Sequence, residues 1–504
     1  MTAKQIIEKY SAGRWWWLIL IAVVLAVFGS TFWNQWTYDD FRIVTNNPDT
    51  YSFKNFLINQ TPGRPLRELT YLLERYFFST RPAGYHILQL SLHAANGIIL
   101  AIIMNRCGIS RYASIIGACF FIIHPYQTET VASIGHRKEL LAFFFGILSL
   151  LTYQSVFNTQ KQAKRFLITL AATILYLISL TGNVTAISFP LIWLAFEYFF
   201  IKEDKYYLLK YKSIVGFVVV SGIAIGLYKF LPLLLHGTNL IQIYNKNNYF
   251  PDTTPFLPHF MGILTSFYYY IIKLFYPHDL AVEYITPLEN TLFQPKAILG
   301  LLFLTVIIIT LYKNWKSRPE IAFALCWFLM LYAPISNIIP VNYYNADRYM
   351  YMPLAGVAIA VGYLITRHYD YTKFAMIMLL LFSILTVRQN LYWLNNFTLW
   401  ERFVTVNPTS SSLQAAAADG AFMSRNFDKA LYHAKEAIRI NPYYSKGFLT
   451  LAMIQDFTGD YKNAEINYKL FISKNQQDGF LDTALPFVAE KLQIIYSRKK
   501  GENK

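Results

Sequence analysis

Two adjacent carboxylates, Asp39 and Asp40 in WTYDDFRIVTNNP, follow directly on the first apolar run of the chain. Neighbouring carboxylates do not ionise independently, because the charge on one raises the pKa of the other. Such a pair can supply a general base together with a metal or hydrogen-bond partner. Acidic pairs beside a helix are commonly just solvated charge, but here a second polar segment reaches the same level. HPYQTETVASIGHRKE, residues 124–139, carries His124, Glu129, His136, Arg137, Lys138 and Glu139. The apolar run before it, 111–124, makes only about 20 Å of helix against a hydrocarbon core of about 30 Å. The segment therefore begins below the membrane surface, where each ionisable group costs about 2.5–3.5 kcal/mol on insertion scales and is a functional candidate. Snorkelling from a helix end is the alternative for Arg137 and Lys138.

Further polar groups gather at this level: Arg64 and Arg67 in TPGRPLREL, His86 in GYH, His278 in KLFYPHDLAVEY, Asp347 and Arg348 in NADRYMYMP, and Arg388 in VRQN. Guanidinium groups bind phosphate in bidentate fashion. Carboxylates below an arginine-lined cavity would suit a donor whose phosphate is tethered to lipid. Asp39, Asp40, Glu129 and His124 could also hold a divalent metal ion, or could act through hydrogen bonds alone. Other chemistries lack their motifs: there is no GxxxxGK[ST] phosphate loop, no HExxH zinc helix and no GxSxG nucleophile turn.

The elements that must position these groups are membrane helices. Of the 504 residues, 55% are hydrophobic and only 15% charged, against about 25% charged in ordinary soluble domains. The net charge of +16 sits on Lys and Arg that punctuate apolar runs, which fits headgroup anchoring rather than nucleic-acid binding. Cys107, Cys119 and Cys326 form no disulfide framework and no metal site. Twelve apolar runs appear, at 15–33, 86–104, 111–124, 140–156, 165–181, 184–201, 213–234, 258–276, 295–312, 320–340, 348–366 and 374–388. Basic turns stay cytoplasmic, and placing all of them on one side leaves eleven crossings. The run 258–276, with Lys273 inside it, is then re-entrant or lies at the interface. The N-terminus is cytoplasmic, and loop 34–85, residues 125–139 and everything after 388 are external. Within loop 34–85, residues 64–78 place Leu66, Leu69, Leu72, Leu73, Tyr76 and Phe77 on one stripe of a helix lying along the membrane surface.

The tail repeats itself every 34 residues: Asn407-Pro408 returns as Asn441-Pro442, Phe427 as Tyr461 and Ala430 as Ala464. That period is similar to tetratricopeptide repeats. The expected organisation is all-α, with a polytopic membrane domain over 1–390 and a soluble helical-repeat domain over 395–498.

Taken in order, YDDFRIVTNNP, GRPLRELTYLLE, GYHILQLSLHAAN, HPYQTETVASIGHRKELLA, KLFYPHDLAVEY, APISNIIP, DRYMYMPLAG and the stretch from RQN to WLNNFTLW resemble the transmembrane-and-tetratricopeptide O-mannosyltransferases and their bacterial relatives, within the GT-C glycosyltransferases. The resemblance implies inverting transfer of a sugar, mannose or similar, from a polyprenyl-phosphate carrier to a protein or glycan hydroxyl on the non-cytoplasmic face. It implies Asp39 or Asp40 as general base, and Arg348 first, then Arg64, Arg137 and Lys138, as donor-phosphate contacts. His124, Glu129, His86, His278, Asp347 and Arg388 are further site candidates. A bacterial inner membrane with the repeats in the periplasm is favoured, with the endoplasmic-reticulum membrane and lumen as the alternative. Where such relatives commonly carry Ser-Lys-Glu, this chain has Gly182-Asn183-Val184, and Asp347 stands where they often have Glu. A non-catalytic scaffold that organises envelope assembly through the repeats is the competing expectation.

Overall fold

The structure, a computed structural model, describes residues 15–59, 64–208, 256–282, 284, 291, 293–338, 344–478 and 484–502. The chain divides into two units, Met1–Asn390 and Leu391–Lys504. Among the described residues every regular element is helical. In the first unit these are α1 (Trp17–Phe28), α2 (Phe53–Asn59), α3 (Pro65–Phe78), α4 (Pro82–Arg106), α5 (Arg111–Ile123), α6 (Gln127–Ala132), α7 (Arg137–Gln154), α8 (Gln162–Gly182), α9 (Phe189–Phe200), α10 (Phe256–Phe275), α11 (Pro295–Asn314), α12 (Pro319–Tyr332), α13 (Leu354–Arg367) and α14 (Tyr371–Tyr392).

Five stretches are long and apolar enough to cross a membrane: Pro82–Arg106, Ile134–Asn158, Gln162–Gly182, Pro295–Asn314 and Tyr371–Tyr392. Five shorter apolar stretches accompany them, at Trp17–Trp33, Arg111–Ile123, Val184–Phe200, Pro319–Ile335 and Leu354–Arg367. This is an integral membrane protein. The outward faces fit that: Leu302, Val306 and Ile309 on α11 and Leu380, Ile384 and Leu391 on α14 are exposed apolar side chains, which water would disfavour and lipid accepts.

The expected crossing at 213–234 lies outside the described residues. The run at 258–276 forms one continuous helix, α10, of 20 residues. It packs closely on α11, because Gly300 leaves so little room that a Cβ there would lie 2.0 Å from the Leu264 carbonyl oxygen. Small residues at such crossings let helix backbones approach and gain dispersion contacts.

Helix boundaries follow local chemistry. Proline opens α3, α4, α11 and α12, where its missing N–H costs nothing and its fixed φ suits the first turn. At the other end of α5, His124 precedes Pro125 and adopts an extended φ of −61° and ψ of 132°, as residues before proline do. Every residue from Ser114 to Arg137 is buried, so the polar stretch that follows α5 is enclosed by protein.

Helix α3 is oriented opposite to a soluble amphipathic helix. Its polar side, with Arg67, Glu68, Tyr71 and Glu74, is buried, while Leu73, Tyr76 and Phe77 are 54%, 86% and 74% exposed. Phe53, Leu57 and Ile58 of α2 are exposed as well. Apolar outside and polar inside is the arrangement expected of a helix at a lipid boundary.

The second unit contains α15 (Asn396–Val406), α16 (Ser411–Met423), α17 (Phe427–Ile440), α18 (Ser445–Phe457), α19 (Tyr461–Asp478) and α20 (Leu485–Glu502). Helix starts recur at the interval read from the sequence, Ser411 with Ser445 and Phe427 with Tyr461. Asn395, Ser410 and Asn426 cap their helices by accepting backbone N–H bonds. Ala418, Ala421, Ala430 and Ala434 are buried between α16 and α17 with Leu451 and Ile454, so small residues permit tight hairpin packing.

Candidate active site

The backbone aims the two aspartates differently. Tyr38, just before them, takes a left-handed φ of 52°, an uncommon conformation for a bulky residue that costs of order 1–3 kcal/mol and clusters at functional sites. The chain then winds a wide turn in which the Asn46 N–H donates to the Phe41 carbonyl. Asp40 faces inward and is 1% exposed. Its carboxylate accepts the Gly135 N–H at 2.7 Å, the Thr37 N–H at 3.2 Å and the Ser133 hydroxyl at 3.3 Å. Burial pushes Asp40 up to about 7, against the three hydrogen bonds, and the neighbouring Asp39 charge adds to the rise. Asp39 faces outward with its side chain 33% exposed, 3.5 Å from the Arg42 guanidinium.

Gly135 makes this contact possible. A Cβ there would lie 3.1 Å from Asp40 Oδ1 and 3.3 Å from Ile43 Cδ1.

The 129–137 segment is pinned from several helices at once. Gln89 of α4 donates to the Thr130 and Ser133 carbonyls, both at 2.8 Å. From α3, Arg67 donates to the Gly135 carbonyl at 3.3 Å and Tyr71 to the Ile134 carbonyl at 2.5 Å. Carbonyls of a buried segment cannot turn to water, so each needs such a partner.

Glu129 meets Arg348 twice, through the guanidinium Nη1 and through the backbone N–H at 2.8 Å. His136 Nε2 is 3.9 Å from Glu129 Oε1. The charges of Arg348, Lys138, Arg67 and Arg64 all bear on the His136 ring, and Lys138 Nζ is 3.4 Å from Glu139. Burial raises Glu129, while Arg348 opposes that rise. Beside Arg348, Asp347 accepts the Ala281 N–H at 3.0 Å and the Tyr284 hydroxyl at 2.7 Å. Burial holds Asp347 at about 7, with the Lys273 charge pulling it down. Lys273 itself lies 3.6 Å above the Tyr284 ring.

Of the residues singled out in the sequence, Asp39, Asp40, Glu129, Arg348, Lys138 and Arg64 therefore belong to one linked cluster, with Asp347 joined through the Arg348 backbone. Others are placed differently. Arg137 is fully buried and donates to Gln89 at 3.0 Å, Thr70 at 3.1 Å, the Tyr85 carbonyl at 2.8 Å and Glu74. It also covers the Tyr71 ring at 4.7 Å. That arrangement makes it a brace between α3, α4 and α7, with its guanidinium bonded to protein partners. His124 donates from Nε2 to the Leu274 carbonyl at 3.1 Å and accepts the Tyr126 N–H at Nδ1, so both ring nitrogens are occupied. His86 is buried, and among the described residues neither of its ring nitrogens has a partner. His278 stands half exposed beside Asp279, and Arg388 is exposed on α14. Asn183, at the position of the expected lysine, accepts the Thr185 N–H at 3.2 Å and closes a short turn.

Sequence reading missed Thr37, Ser133 and Gly135 as partners of Asp40, and Glu74 as the counter-charge of Arg137. The glutamate on the polar side of α3 was the available signal.

Among the described residues no three His, Cys, Asp or Glu side chains converge. Asp40 is filled by N–H and O–H donors, Glu129 by Arg348, and both His124 nitrogens by backbone.

No model of a known protein family matches the chain, and no solved structure does. Curated proteins do. Human protein O-mannosyl-transferase TMTC3 is 21% identical over 476 residues, covering 84% of this chain and 51% of its own length. A Caenorhabditis elegans protein O-mannosyl-transferase is 23% identical over 469 residues, covering 85% of this chain and 63% of its own. The chain is similar to the transmembrane-and-tetratricopeptide O-mannosyltransferases along most of its length. Human TMTC2 is 29% identical over 164 residues, 29% of this chain. The chain spans about half the length of TMTC3 and of human TMTC1.

Proposed function

We propose that this protein is an inverting membrane glycosyltransferase that moves a mannosyl group from a polyprenyl-phosphate carrier to a protein hydroxyl on the non-cytoplasmic face. The observation that carries the reading is the division of labour at Asp39-Asp40, with one carboxylate reachable and the other locked beneath it by hydrogen bonds to Thr37, Ser133 and Gly135. Similarity to proteins named protein O-mannosyl-transferases supports it.

Asp39 is the general base: it takes the proton of the acceptor hydroxyl as that oxygen attacks the anomeric carbon from the face opposite the phosphate. The carbon–oxygen bond to phosphate breaks, and its electron pair leaves with the polyprenyl phosphate. Base catalysis of this kind contributes about 10²–10⁴-fold. Asp40 is a positioning residue that ties the Asp39 loop to Gly135, so the base is held by a rigid segment. Arg348 and Arg64 supply positive charge for the developing phosphate anion, joined by Lys138 in its protonated form, its pKa lowered to about 7 by burial and the neighbouring arginines, and Glu129 fixes the Arg348 rotamer.

Purified full-length chain in lipid nanodiscs, given polyprenyl-phosphate mannose and a Ser/Thr peptide, should release polyprenyl phosphate and form mannosyl peptide. GDP-mannose should not replace the lipid donor. Absence of transfer from every polyprenyl-phosphate sugar offered would contradict the proposal and favour a non-catalytic scaffold.

A further inference from the structure

The buried carboxylates of the transfer site are unequally served by donors. Asp40 accepts from Gly135, Thr37 and Ser133, Glu129 accepts on each oxygen from Arg348, and Asp347 accepts from Ala281 and Tyr284. Glu68 accepts from Arg67. Glu139, in the first turn of α7, is 3% exposed, and among the described residues neither of its oxygens accepts a hydrogen bond. Lys138 balances its charge from 3.4 Å, but consecutive residues of a helix do not face one another. A buried carboxylate whose oxygens accept nothing is costly and calls for an explanation beyond packing.

Its position supplies one. The Glu139 charge bears on Arg67 of α3, on Glu129 of α6 and on Arg348 and Tyr349, which places the carboxylate among the groups of the transfer site. On the same stretch of chain Gly135 abuts the base, since a Cβ there would lie 3.7 Å from Asp39 Cβ. Four residues span at most about 14 Å, so Asp39 and Glu139 are within reach of one small ligand. The arginines of the site suit a phosphate. An ionised carboxylate repels phosphate and accepts only O–H and N–H donors. A transferred sugar brings several hydroxyl donors, and a site that buries them must supply acceptors.

We propose that Glu139 is a specificity-determining residue that accepts hydrogen bonds from hydroxyls of the transferred sugar. The role presupposes the lipid-linked sugar transfer proposed above.

The test is transfer by the purified full chain in nanodiscs from polyprenyl-phosphate mannose and from its 2-, 3-, 4- and 6-deoxy analogues. Wild type should lose at least about tenfold in kcat/KM on at least one deoxy donor, as expected when a hydrogen bond to a charged group is lost. Glu139→Gln should lose about as much on mannose, and its loss relative to wild type should shrink on that same deoxy donor. Glu139→Ala should repeat the pattern and serves if Glu139→Gln does not fold. Equal losses by the variants on every donor would make Glu139 a structural charge and overturn the role, leaving the transferase reading in place. Wild-type transfer from every deoxy donor as fast as from mannose would overturn it even if neither variant folded. No transfer by wild type from any donor would overturn both.

Discussion

At the Pro82 end of α4, Arg137, Glu74, Glu129, Arg348 and Asp40 are all buried and bonded to one another or to backbone. At the Arg106 end, Arg367 is 61% exposed and reaches Glu320 only at 3.9 Å. The two ends contain the same residue types yet differ in what those residues do. Exposed charges at a membrane boundary anchor a helix and contribute little to stability, about 0–1 kcal/mol per pair. Buried charges are tolerated only when geometry and hydrogen bonds compensate their desolvation, and that compensation fixes their positions. Fixed charge is what transfer chemistry needs.

The largest stability effect should follow from Arg137→Met. Removing one partner of a buried pair leaves Glu74 uncompensated and should cost about 3–5 kcal/mol, measurable as a fall in Tm in detergent. A loss below about 1 kcal/mol would erase the contrast between the two ends.

Next comes pH. Folding raises Asp40 from its ordinary 3.8 to about 7, so between those values the folded state holds a proton that the unfolded state has released. Asp347 acts in the same direction. Stability from these groups is therefore fully present below about pH 4, falls as pH rises through that window, and levels off above about 7. Asp40→Asn should flatten part of this slope, as read from Tm against pH. An unchanged profile would mean that Asp40 is not held protonated.

Gly135→Ala should have a smaller effect, about 1 kcal/mol on stability, because the new methyl would press on Asp40 and Ile43. It should lower the transfer rate more than it lowers Tm. The smallest change belongs to Arg367→Ala, expected within about 0.5 kcal/mol of wild type. A larger loss would show that the outer pairs are structural too.

Much of this was legible in the sequence. Long apolar runs marked the helices, His124-Pro125 marked the end of α5, and the spacing of leucines and aromatics in 64–78 marked α3. What periodicity could not show is which stripe of α3 faces protein: in lipid the apolar stripe turns outward, so Glu74 turns in towards Arg137. The difference between Asp39 and Asp40 was also hidden. It depends on the left-handed Tyr38 and on Gly135, nearly a hundred positions away, and neither follows from local residue pattern. Residue type alone marked Arg137 as a candidate cation, whereas its partners come from two other helices, α3 and α4.

The central claim is that Asp39 is the reachable base at a site held rigid from below. Its direct test is the rate of mannosyl transfer from polyprenyl-phosphate mannose by Asp39→Asn, measured beside wild type and Arg367→Ala at matched folded concentration. The account predicts a loss of about 10²–10⁴-fold for Asp39→Asn with Tm unchanged, and wild-type transfer for Arg367→Ala. Wild-type transfer by Asp39→Asn would contradict it.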